Sequence, residues 1–372
     1  MNARERLFAA LNGEPTDRIP IWLLFPYHRT SYYGDVRHEP SYRPVFEASQ
    51  RYAITLNRRN PRVPLFGPEV KQWRETLTEG DERIERDNLE YRGKRLYAET
   101  RRSHWDTTVK RLLCTDDDLA FYCSLPLNTD PDAIATQLDA QLPAYLQERA
   151  EFPAALGAMM LDLGEPVGAL YGVSKLEEYA VWSLTHNDLI ADWFDRVMVQ
   201  KRLVYRYFLE RKLAEVYFLV GSELASPPLV SRKTFRRWIV PYARELIELI
   251  HAHGCHVIQH YHGQIKLILP DFLEMGPEAL HTIEAPPIGN CTFTEAFEIV
   301  GDKIALIGNI QYDDFRALTP AEMRQAVRAV LDECRGKRLI LSPSAGPYEE
   351  SITPELAANY LTFMQAGWEY HG

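Results

Sequence analysis

Cysteine is scarce in this 372-residue sequence, and the five that occur form no recognisable pattern. They are scattered, and no two of them are separated by only two residues: Cys114, Cys123, Cys255, Cys291 and Cys334. An odd number of dispersed cysteines is typical of a protein with free thiols in a reducing compartment. The sequence therefore predicts a cytoplasmic protein whose core needs no disulfides.

The chain also lacks a long apolar run and an excess of positive charge. No stretch approaches the roughly 20 apolar residues of a membrane-spanning helix, and the charged start, MNARERLFAALNGEP, contains no signal-peptide core. Lysine and arginine number 42 against 52 acidic residues, which gives a net charge of −10. This balance argues against nucleic acid or an anionic membrane as the main partner. We expect a globular protein with a small-molecule substrate.

From about residue 155 onwards, short apolar runs alternate with amphipathic helical patterns. Six runs have the length of buried strands: 156–163, 215–220, 255–260, 279–284, 303–308 and 338–342. Together with the earlier runs IPIWLL and RYAITL (51–56), they number about eight, the strand count of a (β/α)₈ barrel. Strands and helices that alternate at this spacing indicate βα units and a parallel sheet. The pattern predicts one α/β domain over residues 1–372, a (β/α)₈ TIM barrel.

A doubly wound open sheet is the alternative fold for the same alternation. It is disfavoured because no G-x-G-x-x-G sequence follows an early strand. Residues 80–112 follow another pattern, in which polar and apolar residues alternate around Arg92-Gly93-Lys94. This segment predicts a β-hairpin excursion from the barrel. Two roles fit this excursion equally, a lid over the barrel and a surface for homodimer formation.

Polar side chains follow the predicted strands, at the end where a (β/α)₈ barrel holds its chemistry. His260 and His262 are two residues apart, so both side chains lie on one face of an extended segment. Two imidazoles on one face can bind zinc, and Glu223 can supply a third ligand. The alternatives are histidines that only form hydrogen bonds and a glutamate that caps the next helix. The pattern predicts His260, His262 and Glu223 as catalytic and metal-binding residues.

Three further residues that follow predicted strands are expected to line the same funnel and bind substrate. Arg29 follows IPIWLL, and its guanidinium can clamp a carboxylate through two hydrogen bonds. A structural ion pair is the alternative for this arginine. Asn309 and Tyr348 follow the runs at 303–308 and 338–342.

Five segments of the chain resemble the uroporphyrinogen decarboxylase superfamily, in the same order. They are spread over nearly the whole sequence: RERLFAALNGEPTDRIPIWLL, ASPPLVSRKTFRRWIVPYARELIELIHAHG, HYHGQIKLILPDFLEMG, KIALIGNI and SITPELAANYL. The resemblance implies a (β/α)₈ barrel with a funnel at the C-terminal face. It also implies one of two activities, the cofactor-free decarboxylation of tetrapyrrole acetate groups or a zinc-dependent methyl transfer that involves a corrinoid.

The decarboxylase branch of this superfamily is matched only in part. Its motif after the first strand looks like W-x-x-R-Q-A-G-R-Y, and the corresponding segment here is WLLFPYHRTSY. Trp22 and Arg29 match, whereas Phe25 stands at the first arginine. The F-S-D-I segment that supplies the essential aspartate has no convincing counterpart. Tyr171 lies about one residue from the branch's tyrosine, and the resemblance implies that it binds or orients substrate.

The methyltransferase branch looks like H-x-C-G after the fifth strand, with a later cysteine after the last strand. Here the segment is His260-Tyr261-His262-Gly263, so His262 replaces the cysteine, and SPSAGPYEES contains no cysteine. A set of two imidazoles and a carboxylate is harder than one with thiolates. Such a site would suit a methyl group on oxygen or nitrogen at least as well as a thiol.

The resemblance therefore predicts a zinc- and corrinoid-dependent methyltransferase or demethylase that acts on a small methylated substrate. The corrinoid would be carried by a partner protein. One alternative is a decarboxylase of a carboxylated substrate, in which Arg29 clamps a carboxylate and a protonated His260 or His262 donates the proton. The other alternative is a barrel that binds its ligand without turnover.

Overall fold

The computed structural model describes residues 1–371, and these contain eleven β-strands in two sheets. In chain order the strands are β1 (Thr55–Arg59), β2 (Lys71–Glu79), β3 (Glu82–Tyr91), β4 (Lys94–Arg102), β5 (Thr107–Lys110), β6 (Gly157–Asp162), β7 (Val216–Leu219), β8 (His256–His260), β9 (Ala279–His281), β10 (Ala305–Ile310) and β11 (Leu339–Pro343). Seven of them form a parallel sheet in the order β1-β6-β7-β8-β9-β10-β11. Strands β2 to β5 form a separate antiparallel sheet. The predicted α/β fold with a parallel sheet is confirmed.

Helices separate the parallel strands, as the alternating pattern predicted. They are α1 (Ala3–Asn12), α2 (Arg43–Tyr52), α3 (Asp116–Ser124), α4 (Pro131–Asp139), α5 (Leu142–Glu151), α6 (Gly168–Tyr171), α7 (Leu176–Thr185), α8 (Asn187–Glu210), α9 (Arg232–Trp238), α10 (Val240–His251), α11 (Leu269–Met275), α12 (Phe293–Val300), α13 (Asp314–Ala317), α14 (Pro320–Glu333) and α15 (Pro354–Trp368). Local sequence sets their starts: before α14, Thr319 and Glu322 exchange hydrogen bonds in a capping box. Within residues 1–371, no helix combines the length and apolar character needed to cross a membrane.

The segment IPIWLL lies between the two edges of the parallel sheet but forms no regular strand. The amide of Trp22 donates to the carbonyl of Leu341 in β11 at 2.9 Å, and the amide of Ile54 donates to the carbonyl of Ile21 at 2.8 Å. Both are isolated parallel bridges. Pro20 has no N–H to donate, and Leu24 adopts a left-handed conformation with φ of 62°. These two residues limit the predicted first strand to a pair of bridges.

Alternate residues of the parallel strands point into a shared apolar interior, because successive strand side chains lie on opposite faces. Leu7 and Leu11 of α1 pack against this interior. Its other buried members come from the strands and the bridging segment: Trp22, Leu24, Ile54, Leu56, Ala158, Met160, Val216, Phe218, Ile258, Ala279, Ala305, Ile307 and Ile340. The opposite faces of the strands pack against the helices in a second, larger apolar cluster.

The excursion predicted as a hairpin over 80–112 is a four-stranded sheet that begins at Lys71. Its central turn is where the sequence indicated, because Arg92 and Gly93 both have positive φ between β3 and β4. Strand β2 was missed because seven of its nine side chains are exposed, which leaves almost no apolar alternation to detect. Cross-strand ion pairs such as Arg74–Asp87 connect β2 to β3.

Candidate active site at the strand ends

The inward face of the parallel sheet becomes polar at the carboxyl ends of β1, β6, β8 and β9. Each polar side chain comes two residues after an apolar interior residue: Arg58 after Leu56, Asp162 after Met160, His260 after Ile258, and His281 after Ala279. Ring contacts connect this layer, since the guanidinium of Arg58 lies 4.8 Å from the Phe218 ring and that ring lies 5.4 Å from His260. The strand alternation that builds the core thus also builds a polar layer at its end.

Arg58 and Asp162 form a buried ion pair on one side of this layer. The Nε atom of Arg58 donates to Oδ2 of Asp162 at 3.1 Å, and Asn60 donates to the same oxygen at 3.2 Å. Burial opposes the positive charge, yet Asp162 and two nearby tyrosines raise the pKa of Arg58 above its ordinary value. Arg58 therefore keeps its positive charge, and Asp162 is its buried partner.

Three histidines occupy the other side of the layer. His260 and His281 are direct partners in the pairing of β8 with β9, and their Nδ1 atoms lie 2.6 Å apart. The ring of His262 stands 4.4 Å from that of His260 at an interplanar angle of 86°. Burial lowers the pKa of His260 well below its usual range and lowers the pKa of His281 to about 3. Both rings are consequently neutral near pH 7.

A carboxylate, Glu284, meets His262 at the same place. Its Oε2 atom lies 3.4 Å from Nδ1 of His262 and accepts the amide of Gly263 at 2.7 Å. Burial raises the pKa of Glu284, but the hydrogen bonds from His262 and Gly263 outweigh burial and lower it overall. Glu284 is therefore an ionised group whose side chain is almost fully buried.

Glu223, the predicted third metal ligand, does not join this cluster. It begins a short 3₁₀ turn, and its Oε2 atom accepts the amide of Gly221 at 2.9 Å. No hydrogen bond or ion pair connects it to His260 or His262 within residues 1–371. Over the same range, no three His, Cys, Asp or Glu side chains are arranged to hold a metal ion. The structure brings two of the three predicted ligands together and places Glu284, rather than Glu223, beside them.

The other predicted site residues fall in separate places. Tyr348 is exposed and lines a cleft of about 320 Å³ together with His262, Glu284 and Tyr312. Asn309 is half-buried near the end of β10. Their substrate-binding roles stay predictions.

Arg29 and Tyr171 form no hydrogen bond or ion pair with the two histidines in the described chain. The Nη2 atom of Arg29 lies 3.2 Å from both carboxylate oxygens of Glu350 on the surface, which is the structural ion pair named as the alternative. Tyr171 ends α6 and lines a second cavity of about 330 Å³ that Asp162 also borders. Burial raises the pKa of Tyr171 to about 12.

Sequence reasoning missed Arg58, Asp162 and His281. Arg58 and Asp162 were detectable, because counting in steps of two from an interior residue such as Leu56 reaches the polar layer. His281 lay inside a recognised run but carried no motif of its own. Its partnership with His260 depends on the β8–β9 register.

The chain is similar to proteins of one family. The family profile described as Uroporphyrinogen decarboxylase (URO-D) matches residues 177–363. Two proteins from Methanosarcina barkeri, both named methylcobamide:CoM methyltransferase MtaA, are 25% and 26% identical to it over 184 residues. These matches cover 46% of this chain and 52% of each relative, so the chain spans about half the length of the curated relatives it matches.

A solved structure shares the fold over nearly the full length. It is a methyltransferase from Methanosarcina mazei, with a TM-score of 0.60 over 99% of this chain and 98% of that chain. The sequences are 15% identical, so this likeness concerns the fold alone.

Proposed function

Because the chain belongs to the uroporphyrinogen decarboxylase family, we propose that it is a corrinoid-dependent methyltransferase or demethylase acting on a small methylated substrate. The observation that carries the proposal is the pair His260 and His262, whose rings lie 4.4 Å apart at the end of β8. Two relatives named as methylcobamide:CoM methyltransferases support the choice of reaction. The corrinoid would arrive on a partner protein.

We propose zinc as the metal of this site, with His260 and His262 as ligands. Imidazole nitrogens and a carboxylate oxygen are donors that zinc accepts, and Glu284 replaces Glu223 as the proposed third ligand because it already contacts His262. The fit is in donor type, since the contact between His262 and Glu284 would have to be exchanged for bonds to the metal. Bound zinc would supply a Lewis acid at this position.

The residues around the pair favour a small substrate over a tetrapyrrole with many carboxylates. The cleft beside His262 has a volume of about 320 Å³, and the one cation in its described lining is Arg316. Arg316 already pairs with Glu349 and Asp313. A polycarboxylate needs several free cations, so decarboxylation of such a substrate remains the second candidate. Binding without turnover is the third.

Other parts of the proposal concern the whole chain. We infer that the bridges at Ile21 and Trp22 complete a closed (β/α)₈ barrel, because they connect both edges of the seven-stranded sheet. We also infer one domain over residues 1–372 and a cytoplasmic location. A homodimer through the antiparallel sheet stays a prediction.

The test measures zinc content and corrinoid turnover on the same purified proteins. We expect near-stoichiometric zinc in the parent, and a loss of affinity of at least about tenfold in His260→Ala, His262→Ala and Glu284→Gln. Glu223→Gln is the matched control and should keep its zinc. Methyl transfer is followed by the visible absorbance of methylcobalamin.

Two results would overturn the proposal. Zinc that is unaffected by both histidine substitutions would remove the metal assignment. Decarboxylation of uroporphyrinogen without any reaction of methylcobalamin would move the chain to the second candidate function.

A further inference from the structure

We infer that His281 is a positioning residue that decides which nitrogen of His260 carries the proton. It holds the proton on Nδ1 of His260 and leaves Nε2 of that residue as a lone pair. The hydrogen-bond part of this inference stands on the contacts and the burial of His281. Its consequence for the reaction rests on the proposed function.

The first step concerns the Nε2 atom of His281. This atom lies 3.0 Å from the carbonyl oxygen of Pro343, the last residue of β11. A carbonyl oxygen only accepts hydrogen bonds, so Nε2 of His281 must carry a hydrogen.

The second step concerns the other nitrogen of the same ring. Nδ1 of His281 lies 2.6 Å from Nδ1 of His260, a distance at which one atom donates and the other accepts. A hydrogen on both nitrogens of His281 would make it a cation. The side chain is fully buried, with the Trp22 ring packed edge-on at 5.6 Å. A cation in such a position is strongly disfavoured, so Nδ1 of His281 accepts.

The third step follows from the first two. Nδ1 of His260 must donate to His281, and a neutral imidazole carries only one hydrogen. Nε2 of His260 is therefore a lone pair. It forms no hydrogen bond to any residue in 1–371. The hydrogen bond made by one ring nitrogen thus sets the state of the other.

The consequence is a division of roles between the two histidines of the site. His260 can bind a metal or accept a proton through Nε2, but it has no hydrogen to donate there. His262 faces the carboxylate of Glu284, whose Oε2 atom lies 3.4 Å from Nδ1 of His262. In a decarboxylase, His260 could therefore not donate a proton from Nε2.

The test reads the tautomers directly in metal-free protein labelled with ¹⁵N-histidine. Long-range ¹H–¹⁵N correlation spectra distinguish a hydrogen on Nδ1 from one on Nε2, and substitution of each histidine assigns its signals. We expect the Nδ1–H form for His260 and the Nε2–H form for His281. Detection of His260 as the Nε2–H form, or as a cation, in the folded parent would overturn the inference.

Substitutions at His281 test whether this residue acts through its hydrogen bond to His260 or only through its packing. The oxygen of asparagine can stand near the former Nδ1 atom and accept the same hydrogen bond, so His281→Asn should keep the Nδ1–H form of His260. His281→Leu should lose it and should also weaken zinc binding by about 10- to 100-fold. His256→Gln, at the other end of β8 where its side chain contacts Asn12, is the matched control and should change neither readout.

The positioning role of His281 and the proposed metal site can be contradicted separately. If the parent shows the expected tautomers but binds no zinc, the proposed metal site is wrong and the positioning role stands. If zinc binds while His281→Leu leaves the tautomer of His260 unchanged, the positioning role is wrong. Should His281→Leu not fold by circular dichroism, the parent and His281→Asn spectra still decide.

Discussion

The two sides of the polar layer are placed by the same rule and differ in what they can do. Arg58 and Asp162 on one side, and His260 and His281 on the other, each stand one inward step beyond the apolar interior. Arg58 and Asp162 pair with each other, whereas Nε2 of His260 forms no hydrogen bond to any residue in 1–371. The position of a residue on its strand therefore decides whether its side chain reaches the polar layer. Its pairing with a neighbouring side chain then decides whether a polar atom is left free for a ligand.

The largest expected effect comes from breaking the ion pair. Asp162→Ala leaves Arg58 as an uncompensated buried charge, and we expect a loss of about 3–5 kcal/mol in the free energy of unfolding. Urea denaturation measures it. Asp162→Asn keeps the shape and removes the charge, so it separates packing from electrostatics. Glu47→Ala breaks the exposed pair with Arg43 and should cost under about 1 kcal/mol. A loss in Asp162→Ala of under about 1 kcal/mol would contradict the expectation that the buried pair contributes more to stability than an exposed one.

In the described chain, Glu165 is a buried carboxyl group without an ion pair, and it can be compared directly with the paired Asp162. Glu165 is buried, accepts the hydroxyl of Ser222 and forms no ion pair within residues 1–371. Burial raises its pKa from an ordinary 4.5 to about 7. The folded state therefore holds this proton more tightly than the unfolded chain. The resulting stability is fully present below pH 4.5 and is lost as the pH rises towards 7.

Glu165→Gln should remove that dependence, because the amide does not ionise. The variant should match the parent at pH 4 or below, and should exceed its stability at pH 8 by about 1–3 kcal/mol. Urea denaturation at both pH values checks this. If the stability difference between parent and variant is the same at both pH values, the raised pKa of Glu165 is contradicted.

The smallest effect is expected at Arg29, which lies outside both sides of the layer. Its pair with Glu350 is exposed, so Arg29→Ala should change the free energy of unfolding by less than about 1 kcal/mol. The same variant decides the predicted substrate role. A rise in KM of about tenfold, or about 1.4 kcal/mol of binding, would support a carboxylate clamp. An unchanged KM would leave Arg29 with the ion pair alone.

The buried strands were predictable because parallel strands covered on both faces are continuous apolar runs. The runs at 156–163, 255–260 and 338–342 match β6, β8 and β11 closely. The run at 51–56 was placed too early, because α2 extends to Tyr52 and β1 begins at Thr55. That shift hid the inward position of Arg58.

The site was predictable only where its residues are neighbours in sequence. His260 and His262 are two residues apart, so strand geometry alone places them together. His281 and Glu284 approach them through the register of β8 with β9, which no local pattern encodes. Glu223 shares the strand-end placement, but its carboxylate turns to the amide of Gly221. Long-range pairing, rather than local propensity, completes the candidate site.

The bridges of Ile21 and Trp22 also bear on how the protein is made. Ile21 pairs with Leu341, so the two edges of the parallel sheet are joined by residues from opposite parts of the chain. During synthesis, the N-terminal edge must wait until β11 has left the ribosome. Until then, it exposes the unpaired backbone groups and apolar surface that chaperones bind. The edges can therefore join only after β11 has been synthesised, so this pairing forms late in the folding of the chain.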